Sequence, residues 1–209
     1  MQVYSMPLGS IGTNTYMAFD EETKKGFIVD PGGYSKNLTD KIMELGVNIE
    51  YIILTHGHAD HIMGVEDFMN DFGDAKIIAA KAEKEMLESV PLNMSAQFGQ
   101  AVTVEADIFV EDGDEMSVGN MDLQFFDTPG HTPGGMVIYV KNGATLFSGD
   151  TLFHTSIGRT DFPGGSFDAL RESILNKIYV LPDETKVLPG HMSPTTIGFE
   201  KVNNPFVHL

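Results

Sequence analysis

Ile49-Glu50-Tyr51-Ile52-Ile53-Leu54 runs directly into Thr55-His56-Gly57-His58-Ala59-Asp60-His61. The first six residues are a short apolar run rich in β-branched side chains, which reads as a buried strand. After the second stretch, Ile62, Val65, Met69 and Phe72 recur at helical spacing. Three His and one Asp therefore fall in the turn between a strand and a helix. His56 and His58 are two positions apart, so in an extended segment they point the same way. Asp60 and His61 open the helix and diverge from that direction. Gly57 and Ala59 are small and leave room for ions. This spacing of imidazoles and a carboxylate matches metal-binding chemistry, and two metals could share the stretch.

Around this motif, 209 residues suffice for one domain, expected to span 1–209. The net charge of -17 argues against a nucleic-acid partner, because phosphate recognition needs clustered Lys and Arg. The chain has no cysteine, which removes disulfides, zinc ribbons and thiol nucleophiles. The start, Met1-Gln2-Val3-Tyr4-Ser5-Met6-Pro7, has no basic n-region followed by an apolar run. No apolar stretch approaches the ~20 residues of a membrane span. The expectation is a soluble cytoplasmic protein with no membrane partner; the oligomeric state is left open.

In chain order, Val3–Leu8, Thr15–Phe19 and Gly26–Val29 read as strands, the last closed by the turn signal Asp30-Pro31-Gly32-Gly33. Asp30, at a strand end, could touch the site, but is expected first to cap that turn. Leu38, Ile42 and Leu45 mark a helix face stopped by Gly46, and the helix after the motif is expected to end at Gly73. Lys76–Ala80 follows as a strand and Lys81–Glu88 as a helix. Residues 91–100 carry no clear period and read either as a loop over the site or as irregular surface. Gly119-Asn120 and Asn142-Gly143 each separate two apolar segments and predict tight hairpins. Ser166 opens a helix with Leu170, Ile174 and Ile178 on one face. Thr185–Leu188 is a last strand, and Thr196–Val202 a closing helix. Strand pairs alternating with helices suggest an α/β fold with sheets inside and helices outside.

Three further segments repeat the design of the first: Thr128-Pro129-Gly130-His131, Ser148-Gly149-Asp150 and Leu188-Pro189-Gly190-His191. In each, a ligand-type residue follows Gly after an apolar segment, and strand ends at one sheet edge are where sites gather in layered α/β folds. With these residues the chain resembles the metallo-β-lactamase superfamily. The resemblance spans nearly the whole sequence. It implies a four-layer αββα sandwich and two divalent metal ions about 3.5 Å apart, as in other two-metal hydrolytic sites. It implies His56, His58 and His131 on the first metal, Asp60, His61 and His191 on the second, and Asp150 bridging both. Asp60 and Asp150 would thereby also carry catalytic roles. Imidazoles and carboxylates suit Zn2+, Fe or Mn, with zinc the first expectation.

Within that superfamily, position 150 is Asp and not the Cys of one class of true β-lactamases. Position 58 is His and not the Glu of flavo-diiron proteins. Gly149-Asp150-Thr151-Leu152-Phe153 with Ser156-Ile157-Gly158-Arg159-Thr160-Asp161 is similar to glyoxalase II and its short bacterial relatives. The sequence runs about one helix beyond His191, and the expectation is that the C-terminal helical region of classical glyoxalase II is missing. The function implied is hydrolysis of a small-molecule thioester such as S-lactoylglutathione by a metal-bridging hydroxide. Alternatives within the fold are a one-iron persulfide dioxygenase and a lactonase or other ester hydrolase. A thioester suits the site because a thiol of pKa near ~8.5 leaves with little acid help. Arg159 matches a basic residue of glyoxalase II that contacts the glutathione carboxylate, and is the candidate substrate-binding residue. A structural Arg bonding turn carbonyls is the other reading of it. His154 is a candidate general acid by its position after Phe153, but is expected to pack or face solvent; His208 is expected to lie in an exposed tail, and the Met residues, Met192 included, to fill the core.

Overall fold

The computed structural model describes residues 1–208. Two six-stranded mixed sheets face each other. The first has the order β1 (Gln2–Leu8), β2 (Thr13–Phe19), β3 (Lys25–Val29), β4 (Asn48–Leu54), β5 (Lys76–Ala80), β6 (Ile108–Val110). Its first three strands are antiparallel, and β3 to β6 run parallel. Parallel neighbours need crossovers, and helices supply them: α1 (Lys36–Leu45) between β3 and β4, α2 (Ala59–Ile62) and α3 (Val65–Asp71) between β4 and β5. Between β5 and β6 lie α4 (Lys84–Leu87) and α5 (Val90–Asn93). The second sheet is built from β7 (Glu115–Val118), β8 (Met121–Asp127), β9 (Met136–Val140), β10 (Thr145–Gly149), β13 (Lys186–Pro189) and β14 (Thr195–Thr196). It is antiparallel except where β10 meets β13. A small hairpin, β11 (Leu152–Phe153) and β12 (Ser156–Ile157), stands apart. The helices α6 (Phe167–Ser173), continued by a π turn to Ile178, and α7 (Ile197–Asn203) complete the elements.

Alternation along the strands creates three apolar cores and four layers. In β4, Ile53 faces the second sheet, where Phe27, Ile78, Phe125, Ile138 and Phe147 also lie. Its neighbours Ile52 and Leu54 face the opposite way, onto Ile42, Ile62 and Phe68. On the far side, Val137, Leu146 and Val187 pack on Leu170, Ile174 and Ile178. This is the αββα arrangement expected from the resemblance. Because β4 is buried on both faces, it reads as a continuous apolar run. Full burial of each of these large side chains stabilises by roughly 1.5–3 kcal/mol. Among the described residues no helix is long and apolar enough to cross a membrane.

Several local expectations shift. The motif helix is two helices, interrupted at Met63-Gly64. There Gly64 donates to Pro31 O at 2.8 Å, and a Cβ would overlap the Gly33 backbone. The Lys81–Glu88 helix begins as a 3₁₀ turn over Lys81–Glu83. Gly119-Asn120 forms the two-residue turn expected, with Val118 opposite Met121. Asn142-Gly143 does not: Val140 pairs with Thr145 across a four-residue connection. The Asn142 side chain instead ties this loop to the other, donating to Asn120 O at 2.6 Å. The short strands β6, β11, β12 and β14 carry too few residues to show a period.

Candidate metal centre

Each site residue follows a strand end at one edge of the sandwich. His56 and His58 follow β4, and Asp60 and His61 open α2. His131 follows β8, Asp150 follows β10, and His191 follows β13. The fold brings all seven together although the first and last, 56 and 191, lie 135 positions apart. Donor atoms of His56, His58 and His131 lie within 4.8 Å of one another, as do those of Asp60, His61 and His191. Asp150 stands between the groups. Its Oδ1 is 3.3 Å from His61 Nε2, and its Oδ2 is 3.6 Å from His131 Nε2 and 3.7 Å from His191 Nε2. Asp60 Oδ2 lies 3.1 Å from His191 Nε2 and accepts the Thr13 hydroxyl at 3.0 Å.

The surroundings fix which ring nitrogen points inward. A carboxylate and a carbonyl only accept, so the nitrogen facing each must carry a proton. His61 Nδ1–H donates to Asp30 Oδ2 at 2.8 Å, and His131 Nδ1–H to Arg159 O at 2.7 Å. The Thr55 hydroxyl gives its proton to Asp30 Oδ2 at 2.6 Å and faces His56 Nδ1 at 3.1 Å, so His56 Nδ1–H is the donor there. His56, His61 and His131 thus aim Nε2 into the centre. His58 aims Nδ1, 2.9 Å from His131 Nε2.

Three buried atoms at the centre have no hydrogen-bond partner: His56 Nε2, His61 Nε2 and Asp150 Oδ1. Buried polar atoms are rarely left so. A Cβ at Gly190 would overlap Asp150 Oδ1 and the His61 ring, so the cradle admits no side chain there. The donor set, its orientation and these partnerless atoms fit two cations of the zinc, iron or manganese type.

Electrostatics separate the two groups. Burial lowers the proton affinity of His56, His58 and His131, with His58 brought to about 3. His61 moves the other way: burial opposes its charge, but Asp60, Asp150 and Asp30 outweigh it. His191 is also raised, by its hydrogen bond to Asp60 against the cost of burial. Asp60 and Asp150 are held below the usual carboxylate range, since His61 and its neighbours overcome their desolvation.

Two further buried carboxylates bond to the site's residues or loops. Asp30, expected to cap a turn, is buried and bonds Thr55 and His61, so it belongs to the site. Its position at a strand end is what lets the sequence offer that role beside the turn cap. Glu83, also buried, accepts Gly57 N–H and Gly134 N–H, both at 2.8 Å, and so ties the His56–His58 loop to the His131 loop. Only a polar residue inside an otherwise apolar helix face could have marked it.

Over the centre lies a cavity of about 500 Å³. Its wall is largely apolar, with Ile11, Phe98, Phe153, Ile157 and Phe162. Residues 91–100 contribute Met94, Gln97 and Phe98, so they cover the site as a pair of short helical turns. Met192 is not a core filler; it is 59% exposed and lines this cavity. Arg159 lines it too, with its guanidinium 3.8 Å from the Phe162 ring centre. That guanidinium is held by Asp161 through two hydrogen bonds of 2.7 and 2.6 Å. His154 lies outside the cavity wall, stacked on Phe199. His208 is exposed, and Asp168 is exposed on α6.

Comparisons with known proteins agree with this architecture. The model of the metallo-beta-lactamase superfamily matches residues 9–191. Hydroxyacylglutathione hydrolase GloC of Haemophilus influenzae is 34% identical over 212 residues, covering 100% of this chain and 99% of that protein. The crystal structure of BLEG-1 B3 metallo-beta-lactamase superposes with a TM-score of 0.92 at 38% identity, covering 99% of both chains. TTHA1623, solved in a di-iron-bound form, gives 0.85 at 32% identity, over 98% of this chain and 100% of that one.

Proposed function

The chain belongs to the metallo-beta-lactamase superfamily, and from that premise we propose that it is a two-cation hydrolase of thioesters of the S-lactoylglutathione type. The observation that carries this is the convergence of seven ligand-type side chains, with three buried atoms lacking partners, on the floor of a mainly apolar cavity. His56, His58 and His131 would hold one cation, Asp60, His61 and His191 the other, and Asp150 both. Zn2+ is the first candidate, with Fe or Mn also suited to the donors. Such cations polarise a carbonyl and lower the pKa of water from ~15.7 toward ~7.

The protein's own groups supply the rest. Asp60 and Asp150 bring two negative charges to the floor, so two divalent cations are offset only in part and the centre still attracts a developing oxyanion. The Thr13 hydroxyl holds Asp60 in place. Phe98, Phe153 and Phe162 displace water from the acyl group, which strengthens electrostatics at the floor. A thiolate leaves without a dedicated acid, and none is needed among these residues. The net charge of -17 disfavours nucleic acid, and the cavity of about 500 Å³ suits a small-molecule substrate. The name of the Haemophilus relative supports the thioester.

The name of the 38% identical lactamase supports a second reading, hydrolysis of a lactam at the same floor. A one-iron persulfide dioxygenase remains the oxidative alternative. The test is metal analysis of purified protein, then assays on a lactoyl thioester, a carboxylate-free thioester, a lactone, a β-lactam and a persulfide with oxygen uptake recorded. Two cations per chain and fastest turnover of thioesters are expected. One iron with oxygen uptake, or a β-lactam turned over faster than any thioester, would sink the proposal.

A further inference from the structure

Aromatic rings flank the floor of the cavity on both sides. The Phe162 ring centre lies 5.4 Å from that of His58, in the first ligand group. The Phe153 ring centre lies 6.1 Å from that of His191, in the second. A carbonyl drawn to the floor therefore has apolar surface beside both of its substituents. Phe98 and Met94 line the same space from residues 91–100, and Ile11 lines it from the β1–β2 turn. Charge is nearly absent from this wall. Among the described residues that line the cavity above the ligand set, the polar side chains are Gln97, Ser156 and Arg159. Arg159 is the one Lys or Arg of these, and Asp161 already takes its Nε and Nη2. Glutathione carries two carboxylates and an ammonium, and the wall offers them no unpaired charge.

We propose that the preferred substrate is a thioester whose acyl group is apolar and longer than lactoyl, on a thiol recognised without charge. Phe98 sets the preference, because it belongs to the wall and does not touch the ligand rings as Phe153 and Phe162 do.

The wall over the site is preformed. Asn93 is fully buried; its amide donates to Val102 O at 2.8 Å, and its Oδ1 accepts Ser95 N–H at 2.9 Å. The Ser95 hydroxyl accepts Val102 N–H at 2.9 Å. These bonds close the turn that carries Met94 and Phe98 onto the chain beyond it, so both side chains are presented before substrate arrives. An apolar acyl chain then loses no energy to ordering the wall. Each CH2 moved from water onto such a surface is worth about fourfold in affinity. The 2-hydroxyl of a lactoyl group gains nothing from aromatic rings, whereas a hydrocarbon chain does. The cavity of about 500 Å³ leaves room for it, within the ~300–1,000 Å³ of sites that bury whole small molecules.

The inference rests on the thioester reading and narrows it, and one panel separates their failures. The metal-replete full chain is assayed on acetyl, lactoyl, butyryl and hexanoyl thioesters, each on glutathione and on N-acetylcysteamine, a neutral thiol. Acyl length should raise kcat/KM by roughly two- to fourfold per CH2 as far as hexanoyl. Butyryl should surpass lactoyl on the same thiol. Glutathione should gain no more than about fivefold over the neutral thiol, the limit for an exposed ion pair. Phe98→Ala should slow hexanoyl roughly three- to tenfold more than acetyl, and Phe98→Leu should keep most of the wild-type preference. The wild-type series is decisive by itself if Phe98→Ala does not fold. Binding without turnover is a second readout: S-methyl, S-butyl and S-hexyl thioethers of N-acetylcysteamine, titrated by calorimetry, should bind more tightly along the series, with a negative heat-capacity change. No hydrolysis of any thioester would defeat the thioester reading, and the inference with it. Hydrolysis without dependence on acyl length, a lactoyl thioester faster than the butyryl one, or a far larger gain from glutathione would overturn the inference alone.

Discussion

The two ligand groups of the centre are built from different materials. His56, His58 and His131 are three buried imidazoles whose proton affinity burial lowers. Asp60, His61 and His191 mix charges, and there the carboxylates raise the proton affinity of both imidazoles. At neutral pH the first group is therefore neutral, and protons compete little with a cation. In the second the carboxylates hold the proton affinity of both rings up, so protons compete more with an entering cation there. One group is kept ready by desolvation, the other by ion pairing that a metal replaces.

The largest break in this contrast comes at Asp150, which belongs to neither group and stands within 3.7 Å of imidazoles from both. Asp150→Ala should lower metal content at both sites and reduce hydrolysis on the order of 10³-fold, as for loss of a preorganised electrostatic group. Asp168→Ala, on the exposed side of α6, should change neither quantity. Equal activity and metal content in the two variants would mean that the groups work without a bridge.

Glu83 tests the first group alone. It joins the Gly57 and Gly134 backbones, and its proton affinity is raised by burial despite those bonds. Glu83→Gln keeps the shape but turns an N–H toward one of two backbone N–H groups. The cost should be about 1–3 kcal/mol of stability, the usual effect of leaving a buried donor unsatisfied. Metal loss should be confined to the His56, His58 and His131 group. Thermal unfolding with the same midpoint as wild type would show that the loop does not depend on this tie.

Protons distinguish the groups more finely. His58 has a folded value of about 3 against 6.5 unfolded, so its contribution is present above pH 6.5 and is lost as pH falls toward 3. His61 and His191 are raised, so theirs is present below pH 6.5 and is lost as pH rises through their folded values. In chelator-treated protein, His58→Ala should flatten the loss of stability on acidification from pH 6.5, and His191→Ala should not. Calorimetry of Zn2+ binding at pH 7, in buffers of different ionisation enthalpy, should show protons released by wild type and by His58→Ala. His191→Ala should release fewer. Equal release from all three would erase the distinction drawn between the groups.

The same difference governs what the sequence makes legible. Four ligands lie within six residues, from His56 to His61, because one turn after one strand can present them all, and local spacing reveals that. His131, Asp150 and His191 are single residues after Gly, each ordinary alone, and they gain meaning only as a set. The layer order came from the family resemblance, since a two-sided buried strand such as β4 leaves no period to say what covers each face. Glu83 carries no signal, and Asp30 reads first as a turn cap, because their partners are backbone N–H groups and residues 25 or more positions away. Such bonds leave no mark on spacing. The Asn142-Gly143 turn misled because the Asn142 side chain is used between loops.

The smallest expected effect lies at the cavity rim, where Arg159 does two jobs with separate atoms. Its carbonyl accepts His131 Nδ1–H and so serves the first ligand group; its guanidinium faces the cavity, stacked on Phe162. Substitution of the side chain leaves the carbonyl in place, so Arg159→Ala should keep its metals. A substrate carboxylate could take the guanidinium fork in two hydrogen bonds. Asp161 already holds that fork, however, and both side chains are more than half exposed. A substrate carboxylate thus exchanges one exposed ion pair for another, and exposed pairs contribute little. Arg159→Ala should raise KM for a glutathione thioester only roughly two- to fivefold, with kcat unchanged. A thioester whose thiol lacks a carboxylate should be indifferent. Asp161→Asn should act oppositely, freeing the fork and lowering KM for the carboxylate-bearing substrate alone. Steady-state kinetics of the three proteins on both substrates decide the matter. If Arg159→Ala slows both equally or loses metal, the side chain supports the first ligand group and the rim takes no part in choosing the thiol.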